Sequence, residues 1–249
     1  MAENAIYVTQ PTLAPLPEFC AILESAWASG VLTHNGPLVQ RFERECVEQL
    51  ALKRMVAVSN GTIAIQMAIR ALDLVGEIIT TPFTFVASLS AIQWERCSPV
   101  FVDIDPHTLN IDPEKIEAAI TSQTVAIMPV HVFGNPCEVE RIQAIADKHG
   151  LKVIYDAAHA VGVQYNGQSL LNFGDVSATS FHATKMLNTA EGGGCIAATE
   201  AVHQRLRAIR FFGFDDSEEV VCEGFNGKMT EVHAALGLAN LPYLPQALA

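Results

Sequence analysis

The chain has 249 residues, of which 50% are hydrophobic and 17% charged, with a formal net charge of −12. So apolar a composition excludes a disordered chain and leaves room for one large buried core, or at most two small ones. The acidic balance disfavours a nucleic-acid-binding surface.

No apolar run approaches the length of a membrane span, and the first residues lack a basic segment followed by an apolar one, so neither membrane insertion nor a secretory leader is expected. The six cysteines, at 20, 46, 97, 137, 195 and 222, include no C-x-x-C pair. They read as separate thiols and as neither a disulfide framework nor a metal site. These features together predict a cytoplasmic protein that acts on small molecules.

Taken in order, the chain opens with an arm over about residues 1–36. Within it, Phe19, Ile22, Ala26 and Trp27 recur at helical spacing over 17–29, and Gly30 is placed to end that helix. The segment Thr33-His34-Asn35-Gly36-Pro37 is a polar turn, in which His34 reads as an ordinary turn histidine. Pro37 suits the first position of a helix with Leu38, Phe42, Cys46 and Leu50 on one face.

A short buried strand, 55–59, then feeds a helix over 63–72 through Asn60-Gly61-Thr62. A turn of this kind leaves backbone N–H groups and the positive end of the helix aimed at one spot, which suits a phosphate, and Thr62 adds a hydroxyl. The same three residues also make an ordinary turn and cap. Strands are expected at 77–81, 99–104, 125–130 and 151–155, with helices opening at Thr84 and Pro113 (the latter ending near Ile120) and another over 137–149. That alternation predicts a largely parallel α/β sheet. His131, in the loop after the strand 125–130, falls at the strand ends where ligands of such sheets gather.

After Asp156 the spacing shortens. Runs at 175–181 and 194–198 have no helix between them, so they are expected to pair antiparallel and make the sheet mixed. A basic helix follows over 200–212, carrying Arg205, Arg207 and Arg210, then an acidic loop, Asp215 to Glu219, and an apolar helix over 232–241.

The chemistry concentrates between the two late strands. Ser180-Phe181-His182-Ala183-Thr184-Lys185 sets a lysine, with hydroxyls beside it, on a short loop between buried runs, where its amine can be desolvated and act as a nucleophile. Asp156, in Tyr155-Asp156-Ala157-Ala158-His159, ends another apolar run. A carboxylate to meet a pyridinium nitrogen and a lysine to hold an aldehyde are the two groups that pyridoxal phosphate chemistry requires.

Asp156-Ala157-Ala158-His159 and Ser180-Phe181-His182-Ala183-Thr184-Lys185, in that order, resemble the DegT/DnrJ/EryC1/StrS family of sugar aminotransferases, over about residues 37–244. The resemblance implies the aspartate-aminotransferase-like fold, a mixed and mostly parallel sheet with helices on both faces. It also implies pyridoxal 5′-phosphate as cofactor and no metal. Lys185 and Asp156 become the catalytic pair, and Gly61, Thr62 and Ser180 hold the phosphate. Phe85 stacks on the ring, His159 stands near the ring oxygen where most members carry Gln, and Asn226 reaches the phosphate of a second subunit in a homodimer.

Asp-Ala-Ala-His, Phe-His-Ala-Thr-Lys and the Glu191-Gly192-Gly193 run look most like members that aminate dTDP-4-keto-6-deoxy-D-glucose, with L-glutamate as donor. The family's usual smaller C-terminal domain is expected to be missing from these 249 residues. Three alternatives stand beside this reading. A sugar dehydratase of the same fold is disfavoured because Lys185 is present. A catalytically incompetent cofactor-binding protein remains open. A nucleotide-dependent dehydrogenase fails because no G-x-G-x-x-G follows a strand.

Overall fold

The computed structural model describes residues 9–248; the first eight residues of the expected N-terminal arm lie outside the described part. In chain order the elements are α1 (Leu16–Ser29), α2 (Pro37–Gln49), β1 (Met55–Val58), α3 (Gly61–Ala71), β2 (Glu77–Thr80), α4 (Val86–Trp94) and β3 (Ser98–Phe101). They continue with α5 (Pro113–Ile116), β4 (Thr124–Ile127), α6 (Val139–His149), β5 (Lys152–Asp156), β6 (Gln164–Tyr165), β7 (Gln168–Ser169), β8 (Val176–Ser180), β9 (Gly193–Ala197), α7 (Glu200–Arg210), α8 (Glu231–Asn240) and α9 (Leu244–Leu248).

The sheet has seven strands in the order β1-β9-β8-β5-β4-β2-β3. Strands β3, β2, β4, β5 and β8 run parallel, and β9 is antiparallel to both of its neighbours. The mixed sheet read from the spacing after Asp156 is therefore observed. The Tyr165-Asn166-Gly167-Gln168 turn closes a separate two-stranded hairpin, β6-β7.

Strand residues alternate between two cores, as the period-two geometry of a strand requires. Val56, Val58, Ile78, Ala126, Ile154, Val176 and Ala178 pack against apolar residues of α3, α4 and α7. Met55, Ala57, Ile79, Ile127, Val153 and Tyr155 pack on the opposite face against residues of α1, α2, α6 and α8. Asp156 follows the parity of Ile154, so its side chain stands on the face covered by α3 and α4. Among the described residues, no helix is long and apolar enough to cross a membrane.

Helix ends behave largely as the sequence indicated. Gly30 closes α1 in the left-handed region (φ 71°), and its N–H donates to Ala26 O. Pro37 opens α2 at a position where no backbone N–H is needed. The helix expected from Pro113 to about Ile120 is observed, its last turn tightened from α to 3-10 over Glu117–Ala119. The chain must turn back there, because Thr121 Oγ1 bonds Glu77 and the Glu77 N–H donates to Gln123 O, aligning β4 with β2. The basic helix is α7, and its three arginines are not alike. Arg210 is buried and bonds Glu43 (2.6 Å) and Ala57 O (2.9 Å), so it serves the interior and not a solvated face.

The start of α2 is finished from far along the chain. Glu231, fully buried in the first turn of α8, accepts from the N–H groups of Leu38 (2.8 Å) and Val39 (2.9 Å). Those are two of the N–H groups that a helix cannot satisfy by itself. Glu231→Ala leaves both buried and unpaired and opens a void, so unfolding by denaturant should show a loss of about 2–4 kcal/mol. Glu231→Gln, which keeps one acceptor oxygen, should lose about half as much.

Candidate active site

The ends of three adjacent strands fix the site. Gly193 pairs with Ser180 on one side and with Val58 on the other, so the end of β8 and the turn after β1 come side by side. A Cβ on Gly193 would sit 2.5 Å from Asn60 C and O, and one on Gly61 would sit 3.0 Å from Ser180 Cβ. A side chain is excluded at 193 by the approach of backbone to backbone, and at 61 it would crowd the Ser180 side chain.

Asn60 caps α3 by accepting the Ile63 N–H on Oδ1 at 2.9 Å. In the first turn of α3 the N–H groups of Gly61 and Thr62 have no partner within the helix. They face a cavity of about 520 Å³ that is also lined by Thr84, Phe85, Asp156, His159, Ser180, Thr184 and Lys185.

Lys185 rides on the loop from β8 to β9. The loop is tied by Ala183 N–H to Ala190 O (2.8 Å), Thr189 N–H to Phe181 O (2.8 Å) and Lys185 N–H to His182 O (2.9 Å). His182 Nδ1 accepts from the Thr184 N–H at 3.2 Å, which braces the turn just before the lysine. Withdrawal from water lowers the Lys185 amine below the ordinary lysine value, and the Asp156 carboxylate opposes that shift. A larger share of the amine is thereby neutral, and able to act as nucleophile or base, than in a free lysine.

Asp156 is 6% exposed at the end of β5. Its Oδ2 accepts from Ser88 Oγ at 2.6 Å and its Oδ1 from the Ala158 N–H at 3.2 Å. Thr84 Oγ1 lies 2.8 Å from Ser88 Oγ. His159, exposed at the rim, stacks parallel to Phe133 with ring centroids 6.2 Å apart. Its imidazole is held below the usual histidine value, first by loss of water and then by the positive charge of Lys185, with Asp156 opposing. Phe85 forms part of the cavity wall with its ring 76% exposed.

Lys185, Asp156, Gly61, Thr62, Phe85, His159 and Ser180 are thus brought to one cavity. Asn226 is not among the residues lining it. Asn226 is exposed, and its Oδ1 accepts from Lys228 Nζ at 2.6 Å. His131 reaches the cavity edge, but its ring stacks on Tyr155 (4.5 Å between centroids) and its Nδ1 accepts from the Cys137 N–H at 3.2 Å. Sequence reasoning missed Ser88. The available signal was a hydroxyl four residues after Thr84, on the inward face of a helix that is otherwise largely apolar there.

The donor set suits an anionic, ring-bearing cofactor. A helix start and two hydroxyls stand at one place, a carboxylate acceptor and a half-buried amine at another, and the glycine at 61 leaves the space a Cβ would fill. Among the described residues, no group of three or more His, Cys, Asp and Glu side chains could hold a metal ion.

A seven-stranded mixed sheet with an amine and a carboxylate at its strand ends fits the fold of the sugar aminotransferases, and comparison with known proteins assigns the chain to that class. The model of the DegT/DnrJ/EryC1/StrS aminotransferase family matches residues 17–249, and the chain belongs to that family. It is 48% identical over 242 residues to a dTDP-4-amino-4,6-dideoxy-D-glucose transaminase of Shigella dysenteriae, covering 97% of this chain and 66% of that protein. A transaminase of the same name from Escherichia coli is 43% identical over 254 residues, covering 98% of this chain and 66% of the relative.

Among solved structures, DesI in the presence of its TDP-sugar product superposes with a TM-score of 0.94 at 37% identity, covering 98% of this chain and 62% of that one. An NtdA structure from Bacillus subtilis with bound cofactor PMP superposes with a TM-score of 0.86 at 29% identity, covering 98% and 58%. The chain spans 66% of the length of the two transaminases it matches.

His131 makes a pH-dependent contribution that can be measured. Burial lowers its imidazole from 6.5 to about 3. The unfolded chain therefore takes up a proton between those values that the folded chain refuses, and stability falls as pH drops through that window. His131→Asn keeps an acceptor for the Cys137 N–H and removes the titration. Relative to the variant, the unmodified protein should lose up to about 1.4 kcal/mol of unfolding free energy per pH unit between pH 6.5 and 3.

Proposed function

We propose that this protein transfers an amino group from L-glutamate to a nucleotide-linked keto-deoxysugar, dTDP-4-keto-6-deoxy-D-glucose, using pyridoxal 5′-phosphate in a homodimer. The observation that carries the reading is the convergence of Lys185 and Asp156 on one cavity that ends at the start of α3. The two relatives from Shigella dysenteriae and Escherichia coli support the sugar, since both bear the name of a transaminase of that compound.

When bound, the cofactor supplies an aldehyde and a ring that accepts electrons from a bond broken at the substrate carbon. The N–H groups of Gly61 and Thr62, with the hydroxyls of Thr62 and Ser180, hold its phosphate. Asp156 would accept a hydrogen bond from the ring nitrogen and keep that nitrogen protonated. Phe85 would cover one ring face, and His159 would donate to the ring oxygen. Asn226 of a second copy completes the phosphate seat.

Lys185 has two tasks. Its amine would hold the cofactor's aldehyde at rest and, once freed, would move a proton between the donor α-carbon and C4′, as base and then as acid. The lowered proton affinity of this half-buried amine suits both tasks. In the second half of the cycle the same proton transfers run in reverse on the keto sugar.

The deciding experiment is the visible spectrum of the protein with pyridoxal 5′-phosphate, before and after L-glutamate. A band that forms and then bleaches supports amino transfer; a band indifferent to glutamate leaves cofactor binding without donor turnover. Lys185→Ala should abolish the covalent band and lower turnover by roughly 10³-fold or more, measured as amino sugar formed.

A further inference from the structure

Behind Asp156 stand two hydroxyls for which the proposed chemistry has no task. Ser88 is fully buried, and its Oγ donates to Asp156 Oδ2 at 2.6 Å. A serine hydroxyl has a single proton. With that proton committed to the carboxylate, the 2.8 Å contact between Ser88 Oγ and Thr84 Oγ1 has Thr84 as its donor. The chain of hydrogen bonds therefore runs one way, from Thr84 at the cavity wall through Ser88 to the carboxylate.

We infer that Ser88, backed by Thr84, is a positioning residue that fixes the Asp156 carboxylate for the ring nitrogen of the bound cofactor. The inference rests on the function proposed above. Each carboxylate oxygen is held from the protein side, Oδ2 by Ser88 and Oδ1 by the Ala158 N–H at 3.2 Å. With both oxygens tied, rotation of the carboxylate plane is restrained, and acceptor capacity remains on a carboxylate that lines the cavity.

The placement of Ser88 is local. It belongs to the first turn of α4, whose N-cap is Phe85. The positive end of that helix adds to the attraction for the carboxylate. One helical turn thus carries both the aromatic ring at the cavity wall and the anchor of the carboxylate. Ser90, on the same helix, is exposed, so the burial of Ser88 belongs to its own position and not to serines of α4 in general.

The test is titration of the full chain with pyridoxal 5′-phosphate, recording affinity and the position of the bound cofactor's visible band, for the unmodified protein and for Ser88→Ala, Ser88→Thr and Thr84→Val. Ser88→Ala should bind the cofactor roughly tenfold more weakly, as expected for loss of a hydrogen bond to a charged group, and displace the band. Ser88→Thr keeps the hydroxyl and should lie within about twofold of the unmodified protein, while Thr84→Val should weaken binding about threefold.

A Ser88→Ala protein with unchanged affinity and band overturns the inference, as does a folded Ser88→Thr protein as weak as the alanine variant. Should Ser88→Ala fail to fold, Thr84→Val decides: a displaced band supports the inference and an unchanged one overturns it. An unmodified protein that binds no cofactor overturns the proposed function and this inference with it. Normal binding with indifferent variants overturns the inference alone.

Discussion

The site depends on one close approach, that of β9 to the turn between β1 and α3. Gly193 pairs with Ser180 and with Val58 at once, and the space its side chain would need is taken by the backbone of Asn60. Because those backbones meet, the N-terminus of α3, the hydroxyl of Ser180 and the loop bearing Lys185 share one wall. A side chain at 193 would push the helix start away from the strand ends, and the N–H groups of Gly61 and Thr62 would no longer face the cavity. Most of what the protein can bind follows from that fit.

Charge is distributed with the same economy. The cavity brings together the Asp156 carboxylate and the Lys185 amine, neither of them freely solvated, with Glu191 also in its lining. Elsewhere the buried charges serve the frame. Arg210 and Glu43 form a 2.6 Å pair in which Glu43 also accepts the Ala57 N–H at 2.8 Å, tying α7 and α2 to β1. Glu231 finishes the start of α2. Removing one partner of such a pair leaves a charge without compensation, a loss of about 3–5 kcal/mol. These groups are accordingly fixed points on which the mobile chemistry of the cavity can rely.

Much of this was legible in the sequence, for physical reasons that differ by residue. Asp156 could be found because it ends an apolar run, and a buried strand delivers its last side chain to the sheet edge; Lys185 could be found because it sits on a short loop between two such runs. The family resemblance then joined the two. Gly61 and Thr62 were legible as a helix start but ambiguous as a phosphate seat, because a cap and an anion site use the same N–H groups. Ser88 was not legible: its role depends on α4 lying against β5, a contact between segments 68 residues apart. The role of Arg210 was not legible either. Its neighbours Arg205 and Arg207 are surface residues, and only the packing of α7 on β1 shows that Arg210 points inward. The 3-10 tightening after α5 was also beyond reach, since the return of the chain to β4 imposes it, and not the helix's own residues.

The strand order has a consequence for how the molecule is made. Strand β1 is near the start of the chain, but its only strand partner in the seven-stranded sheet is β9, more than a hundred residues later. Until residues 193–197 have left the ribosome, the turn at Asn60–Thr62 has no sheet edge to hold it. The first-made part of the cavity is therefore among the last to take its final form, and long-range pairing of this kind is slow to close. During synthesis the edge of β8 that β9 will cover is open to other strands. The same closing strand that completes the cavity also covers the open edge of β8, so assembly of the site and closure of that edge are one event.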